Sequence, residues 1–315
     1  MSDKTIVSTV LGAGTMGAGI AQCLCDHGCP VTLCDLDPLA IDRARERIDF
    51  SRKTLESVGL QTHEQSQRGS ALFSTSCVLD EAVSESDLII ESISEDLELK
   101  CDVFKRLDLL APPGAAIVSN TSGLSITRLA DATNRPEQIA GFHWFNPPEL
   151  VPLVEVTSGE KTQRGLIDQL MAFARQLGKQ PIHVRRDVPG FVANRLQFAV
   201  FREALHLLSE CVVSAEDLDR AMTSGPGFRW SFLGPLRTAD FGGLDVFHSI
   251  SSYLWPELSN AASPPSILGE KVKEGNFGTK SGSGFYDYPL VELNELIERR
   301  DRFFLALTKL VDEAR

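Results

Sequence analysis

Gly12-Ala-Gly14-Thr15-Met16-Gly17 sets glycines at a spacing that lets a chain wrap a pyrophosphate, and Asp35 stands about twenty residues further on. In such a loop Gly12 permits the tight turn and Gly14 lets the backbone approach phosphate oxygens. Gly17 lets the following helix pack against the preceding strand. Thr15 and Met16 stand in the loop that opens this helix, whose N-terminus offers unpaired N–H donors to the phosphates. Asp35 is suited to accept hydrogen bonds from a ribose 2′-hydroxyl and to repel a 2′-phosphate, which selects NAD over NADP. Outside the right context the same glycines are a turn and Asp35 is a helix cap.

The context a dinucleotide needs is strand, helix, strand. Residues 6–11 (Ile-Val-Ser-Thr-Val-Leu) read as a buried strand, residues 18–25 as an apolar helical run, and Val31-Thr-Leu-Cys34 as a second strand ending on Asp35. Residues 38–69 are charged and periodic (Ile41, Ala44, Ile48, Leu55, Val58), a helical hairpin inserted into the alternation. Short apolar runs at 88–90, 116–118 and 139–142 alternate with helical or loop segments, which predicts a parallel, doubly wound sheet. Runs at 153–156 and 181–184 read as closing strands around a helix at 162–177. After Val188-Pro-Gly190 the pattern turns helical: 191–208, a helix capped at Ser214-Ala-Glu-Asp217, then 244–254, 266–273 and 290–314. The expected architecture is α/β: a Rossmann-like doubly wound sheet with a helical insertion (residues 1–187), followed by an all-α C-terminal domain (residues 188–315).

Composition narrows the function classes. The 315 residues carry 43 Asp and Glu against 31 Lys and Arg, a net charge of −12. That field opposes binding to a phosphate backbone, so no nucleic-acid partner is expected. No apolar run approaches the length of a spanning helix, and the opening residues Met1-Ser2-Asp3-Lys4-Thr5 lack a signal-peptide core, so neither membrane nor secretion is expected. An odd number of cysteines, seven, fits a reducing cytoplasm. Cys23, Cys25, Cys29 and Cys34 contain no CxxC pair and read as small buried hydrophobes, so no metal is expected. Gly159-Glu-Lys-Thr162 lacks P-loop spacing, and Asn120-Thr-Ser122 is a glycosylation sequon by letters alone.

A longer set of motifs resembles one family. Glu91-Ser-Ile-Ser-Glu95-Asp-Leu-Glu-Leu-Lys100, Asn120-Thr-Ser122, His143-Trp-Phe-Asn146-Pro-Pro, Leu-Val-Glu155-Val, Gly190-Phe-Val-Ala-Asn194-Arg and Lys280-Ser-Gly-Ser-Gly-Phe-Tyr-Asp-Tyr288 occur in order from the glycine loop to Tyr288. Together they look like the short-chain L-3-hydroxyacyl-CoA dehydrogenases. The resemblance implies a Rossmann-like domain, a helical C-terminal domain that forms a homodimer, and NAD as cofactor. Position by position it implies catalytic roles for Ser122, His143, Glu155 and Asn194. Asn120, Glu95 and Lys100 are implied to line the nicotinamide side, and Asn146 to face substrate. The residue types suit alcohol oxidation. A histidine, with an ordinary pKa of about 6.5, takes the hydroxyl proton while hydride leaves, and a carboxylate on its other nitrogen fixes the tautomer. Serine and asparagine donate to the oxygen when charge builds there. Singly, each has a plainer reading: His143 a core histidine, Ser122 a helix cap, Asn194 a helix-terminal hydrogen bonder. A buried Glu155 needs a partner in either case.

Three departures bear on the substrate. Gly123 stands where acyl-CoA members usually carry a second serine. The hairpin has mixed charge (Glu46, Asp49, Arg52, Lys53, Glu56, Glu64, Arg68) in place of a basic patch for CoA phosphates. Gly225-Pro-Gly-Phe-Arg229-Trp230-Ser-Phe-Leu-Gly-Pro235 resembles branches acting on free hydroxy acids: L-gulonate 3-dehydrogenase (lambda-crystallin), L-carnitine dehydrogenase and a pyridine-carboxylate dehydrogenase. Arg229 is either a fork for a substrate carboxylate or an ion-pairing arginine. The expected activity is NAD-dependent oxidation of a small 3-hydroxy compound, a short 3-hydroxyacyl-CoA or a free hydroxy acid. A non-catalytic NAD-binding protein, as in lens crystallins, is the alternative from another class.

Overall fold

The computed structural model describes residues 5–57, 59 and 61–314; Val58 of the periodic set and residues 1–4 lie outside them. The first half alternates strand and helix: β1 (Ser8–Leu11), α1 (Thr15–Asp26), β2 (Val31–Cys34), α2 (Pro38–Ser57), α3 (His63–Ala71), β3 (Phe73–Ser76), α4 (Leu79–Val83), β4 (Leu88–Glu91), α5 (Leu97–Leu110), β5 (Ala116–Ser119), α6 (Ile126–Asp131), β6 (Ile139–Trp144), β7 (Leu153–Ser158), α7 (Arg164–Gln176) and β8 (Gln180–Val184). The strands form one sheet in the order β3-β2-β1-β4-β5-β6-β7-β8. Successive strand residues face opposite ways, as the pleat requires. Val10, Ile90 and Val118 therefore join the core under α1 and α7, while Leu11, Ile89 and Ile117 join the core under α4, α5 and α6.

Strand order reverses between β1 and β4, which makes the carboxyl ends of those two strands the crevice where open α/β sheets take ligands. The α2–α3 hairpin is pinned to the sheet's helical layer. Arg52, buried on α2, bonds Asp26 at 2.8 and 3.0 Å and the Ser70 hydroxyl at 2.8 Å. Gly69 makes room for this pair, because a Cβ there would lie 2.1 Å from the Asp26 carboxylate.

The structure departs from the sequence expectation in three places. The sheet is not wholly parallel: β6 and β7 run antiparallel, since the eight residues between Trp144 and Leu153 hold no crossover helix. β3 and α4 escape an apolar-run search because Phe-Ser-Thr-Ser is a polar edge strand. Helix does not begin at 191: α8 covers Ala193–Ser209, and Phe191 sits at φ +47°, outside helical space.

The chain forms two compact units, one ending at Arg195 and one beginning at Leu196. The second is helical: the body of α8, then α9 (Ala215–Ser224), α10 (Pro226–Trp230), α11 (Gly234–Gly242), α12 (Leu244–Leu254), α13 (Ser266–Lys273) and α14 (Leu290–Glu313). Ser214 caps α9 by accepting the Asp217 N–H. No helix among the described residues is long and apolar enough to cross a membrane.

Asp108, near the end of α5, ties that helix to the turn entering β6. It accepts the Asn134 N–H and side-chain amide at 2.8 and 2.7 Å and the Arg135 guanidinium at 2.8 Å. Burial pushes its carboxyl up, but the Asn134 N–H, Arg135 and the Asn134 amide outweigh burial and hold it below the usual aspartate value. A depressed folded-state pKa contributes stability above the unfolded value of about 3.9, and that contribution is lost as pH falls through the folded value. Asp108→Asn should therefore cost about 2–3 kcal/mol at pH 7. In urea titrations at pH 7 and below pH 4, the deficit should shrink in acid.

Candidate active site

The glycine loop leaves β1 and enters α1 under two steric demands. Gly12 has φ +97°, and a Cβ there would lie 2.5 Å from the Ser92 carbonyl oxygen; a Cβ on Gly17 would lie 1.8 Å from the Gly12 oxygen. Gly14 differs: it is exposed and a Cβ there would meet nothing within 4 Å, so the space over it is a cradle that a side chain would fill. No side chain caps α1 and its first turn has no acidic residue, leaving the positive helix end open around Thr15 and Met16. Asp35 follows β2, half buried, and accepts the Ala13 N–H at 2.7 Å and the Asp37 N–H at 2.9 Å. It thus fixes the loop that would hold a pyrophosphate while keeping acceptor capacity for ribose hydroxyls. These features fit a dinucleotide.

His143 and Glu155 face each other across the antiparallel β6–β7 pair, in direct register. His143 Nδ1 lies 2.8 Å from Glu155 Oε2; the histidine is 4% exposed and the glutamate not at all. The other carboxylate oxygen, Oε1, accepts the N–H groups of Val192 and Ala193 at 3.0 and 2.8 Å, where α8 begins. With Oε1 taken by two amides, the pair is satisfied when Nδ1–H donates to Oε2, which leaves the Nε2 lone pair directed away from Glu155. The rings of Phe145 and Phe191 lie 4.4 and 5.8 Å from the imidazole.

Asn120 connects this pair to the cofactor crevice. Its Oδ1 accepts the N–H of Trp144, next to His143, at 2.8 Å, and its Nδ2 donates to Ser92 Oγ at 3.3 Å. Ser122 is exposed on the turn after β5, and Asn194 Nδ2 donates to its carbonyl at 3.0 Å. Glu95, exposed, accepts the Ser122 N–H at 2.9 Å and the Thr121 hydroxyl at 2.6 Å. Lys100 is 1% exposed and its ammonium is spent on buried Glu91 at 2.5 Å, with Glu95 at 3.4 Å. It holds the 91–95 turn from beneath. Asn146 is exposed just past β6. Arg229 belongs to the second unit, exposed on α10, and its guanidinium has no ion pair among that unit's described residues.

Sequence reasoning missed Glu91, Ser119 and Asp187. Glu91 also accepts the Ile93 N–H at 2.8 Å and the Ser119 hydroxyl at 2.6 Å. A charge closing the apolar run Leu88-Ile-Ile was the available signal. Asp187 had none, lying among exposed arginines. Burial drives the Cys23, Cys25 and Cys34 thiols up to about 11, 12 and 11. Among the described residues no group of His, Cys, Asp and Glu is placed to hold a metal ion.

Comparison with known proteins adds the following. The family profile "3-hydroxyacyl-CoA dehydrogenase, NAD binding domain" matches residues 7–188, and "3-hydroxyacyl-CoA dehydrogenase, C-terminal domain" matches residues 190–288. A 5-formyl-3-hydroxy-2-methylpyridine 4-carboxylate 5-dehydrogenase from Mesorhizobium japonicum is 35% identical over 96% of this chain and 97% of its own. A probable 3-hydroxybutyryl-CoA dehydrogenase from Bacillus subtilis is 38% identical over 89% and 96%. An L-carnitine dehydrogenase from Nocardiopsis dassonvillei is 34% identical over 96% and 91%. The crystal structure of a 5-formyl-3-hydroxy-2-methylpyridine 4-carboxylic acid 5-dehydrogenase, an NAD+ dependent dismutase, superimposes with TM-score 0.90 at 34% identity, over 98% of this chain and 99% of that one.

If Asp35 meets the adenosine ribose, the parent chain should bind NAD far more tightly than NADP, and Asp35→Ala should narrow the gap. Loss of a charge-assisted hydrogen bond and of the repulsion is worth about 1.5–3 kcal/mol, roughly tenfold to over a hundredfold. Fluorescence titration with both cofactors measures it. Equal affinities in the parent chain would refute the assignment.

Proposed function

The chain belongs to the 3-hydroxyacyl-CoA dehydrogenase family, NAD-dependent enzymes acting on CH–OH, and from that premise we propose that its substrate is a small free 3-hydroxy carboxylate. His143, Glu155, Ser122 and Asn194 act on the reacting carbinol. Gly12, Gly14, Thr15, Met16, Gly17 and Asp35 hold the dinucleotide, and Glu95 and Asn120 border its nicotinamide end, with Lys100 fixing the turn below. Residues 1–187 serve as the NAD-binding domain and 188–315 as the domain for substrate and dimerisation.

The His143–Glu155 pair carries the catalytic reading. His143 Nε2 takes the hydroxyl proton, and Glu155, held by two amides on its other oxygen, stabilises the imidazolium. Bound NAD supplies the hydride acceptor. The Ser122 hydroxyl and the free N–H of Asn194 donate to the substrate oxygen in the reverse direction, when charge builds there.

Arg229 supports the substrate class. An exposed arginine without an ion pair among its own unit's described residues has its guanidinium open to fork a carboxylate. On the hairpin Arg52 is buried on Asp26 and Arg43 pairs with Asp37, while exposed Arg47, Lys53 and Arg68 are interspersed with exposed Asp42, Glu46, Asp49 and Glu64, a mixed surface for CoA phosphates. The relative named for a pyridine 4-carboxylate and the L-carnitine dehydrogenase from Nocardiopsis dassonvillei each align over 96% of this chain. The 38% identity of the 3-hydroxybutyryl-CoA relative keeps acyl-CoA as the competing reading. We further propose a homodimer built on the helical unit, where Leu236, Phe241 and Trp255 are 81%, 80% and 70% exposed. Free thiols at all seven cysteines support a reducing, cytoplasmic setting.

NADH absorbance over a panel of free 3-hydroxy acids and L-3-hydroxybutyryl-CoA tests the proposal. His143→Ala should lower kcat by about 10²–10⁴-fold with NAD affinity kept. Arg229→Met should raise KM for the acids about tenfold or more and leave NAD binding alone. A CoA ester turned over far better than any acid, and normally by the Arg229 variant, would make the enzyme an acyl-CoA dehydrogenase. No turnover of any compound would favour a non-catalytic NAD-binding protein.

A further inference from the structure

Two segments far apart in sequence carry the groups around the carbinol: the turn 120–127, with Ser122, and the stretch 187–195, with Phe191 and Asn194. Asp187 joins them. Its Oδ2 accepts the Ser125 hydroxyl at 2.8 Å and the Thr127 N–H at 2.9 Å, and its Oδ1 accepts the Thr127 hydroxyl at 3.1 Å. Three residues on, Gly190 lies against Gly123 so closely that a Cβ on Gly123 would stand 2.6 Å from the Gly190 nitrogen and 2.9 Å from its Cα. Both atoms are backbone, so neither can turn aside. Further along, the Val192 and Ala193 amides are held by Glu155, and Asn194 reaches the Ser122 carbonyl.

Phe191 lies between these anchors, buried, with its ring toward His143 and its backbone at φ +47°. A bulky residue takes that conformation only where its surroundings over-determine it. The anchors supply that: Asp187 and Gly190 on one side, the amides on Glu155 on the other. Released from Asp187, the stretch is free to relax toward ordinary backbone geometry, carrying Phe191 off the imidazole and Asn194 off the Ser122 turn.

We propose that Asp187 and Gly123 are positioning residues for the reaction: together they clamp the 187–195 stretch onto the Ser122 turn, and so set Asn194 and Phe191 against the reacting groups. The proposal rests on the dehydrogenase reading given above. Asp187 is spent on Ser125 and Thr127, and Gly123 lies against the Gly190 backbone, so each acts through Asn194 and Phe191.

The test compares the full-length parent with Asp187→Asn, Gly123→Ala, Asn194→Ala and the double variant Asp187→Asn/Asn194→Ala. Asp187→Asn and Gly123→Ala should each lower kcat ten- to a hundredfold on the best panel substrate, with the Kd for NAD within twofold. Exchange of the Val192 and Ala193 amides with deuterium should quicken at least tenfold. Because Asp187 acts in part through Asn194, the double variant should lose less than the product of the two single losses. Thr127→Val, which removes the Oδ1 bond together with the Glu160 N–H bond to the same hydroxyl but keeps both Oδ2 bonds, provides a milder variant should Asp187→Asn fail to fold, and should lose three- to tenfold in kcat. A kcat within threefold of the parent in Asp187→Asn, or losses that multiply in the double variant, would overturn the clamp. A parent inactive on every panel compound would sink the dehydrogenase reading instead. Amide exchange would then decide the clamp, and unchanged exchange would end it.

Discussion

A carboxylate fully removed from water must find donors for both its oxygens, or the fold bears the cost of an unpaired buried charge, about 3–5 kcal/mol when one partner is taken away. Glu155 is such a group. One oxygen holds the His143 ring and the other holds the Val192 and Ala193 amides at the start of α8, so one buried carboxylate fixes an imidazole and a helix start together. The antiparallel β6–β7 pair is what makes this possible. It sets His143 directly opposite Glu155, so that a side-chain contact across the sheet follows from strand register alone.

The cofactor crevice depends on a second constraint, close backbone approach at the point where strand order reverses. Gly12 is pressed on Ser92 and Gly17 on Gly12, while Ser92 bonds Asn120, whose carbonyl takes the amide beside His143. Beneath the same turn the Glu91–Lys100 pair is closed on itself, with Ser119 and the Ile93 amide completing the carboxylate. A buried pair satisfied in this way adds little net stability, but it holds one geometry firmly. The glycine loop and the histidine are thereby parts of one hydrogen-bonded frame in the first unit.

Much of this was readable in the residues. The glycine loop with Asp35, the apolar strand runs and the helical second half follow from spacing and period, because each is a local property. The roles of Ser122, His143, Glu155 and Asn194 came from motif resemblance, since nothing local says that residues 122 and 194 meet. What stayed hidden was non-local or polar. β3 is a polar edge strand, and the antiparallel turn of β7 depends on a missing crossover helix. Phe191 leaves helical space only because anchors on both sides hold it there. Lys100, which the motif resemblance sets on the nicotinamide side, is 1% exposed, because its partner Glu91 lies at the end of a neighbouring strand and not on its own helix.

The central claim is that Glu155 leaves His143 with hydrogen on Nδ1 and a lone pair on Nε2. Nitrogen NMR of the histidine-labelled protein, in the neutral imidazole range, reads this directly and needs no substrate. Assignment of His143 by comparison with His143→Ala should show Nδ1 as the protonated, pyrrole-type nitrogen and Nε2 as the bare, pyridine-type one. In Glu155→Gln that preference should be lost. A neutral His143 with its hydrogen on Nε2 in the parent protein would contradict the account, because no lone pair would then be available to take the substrate's proton.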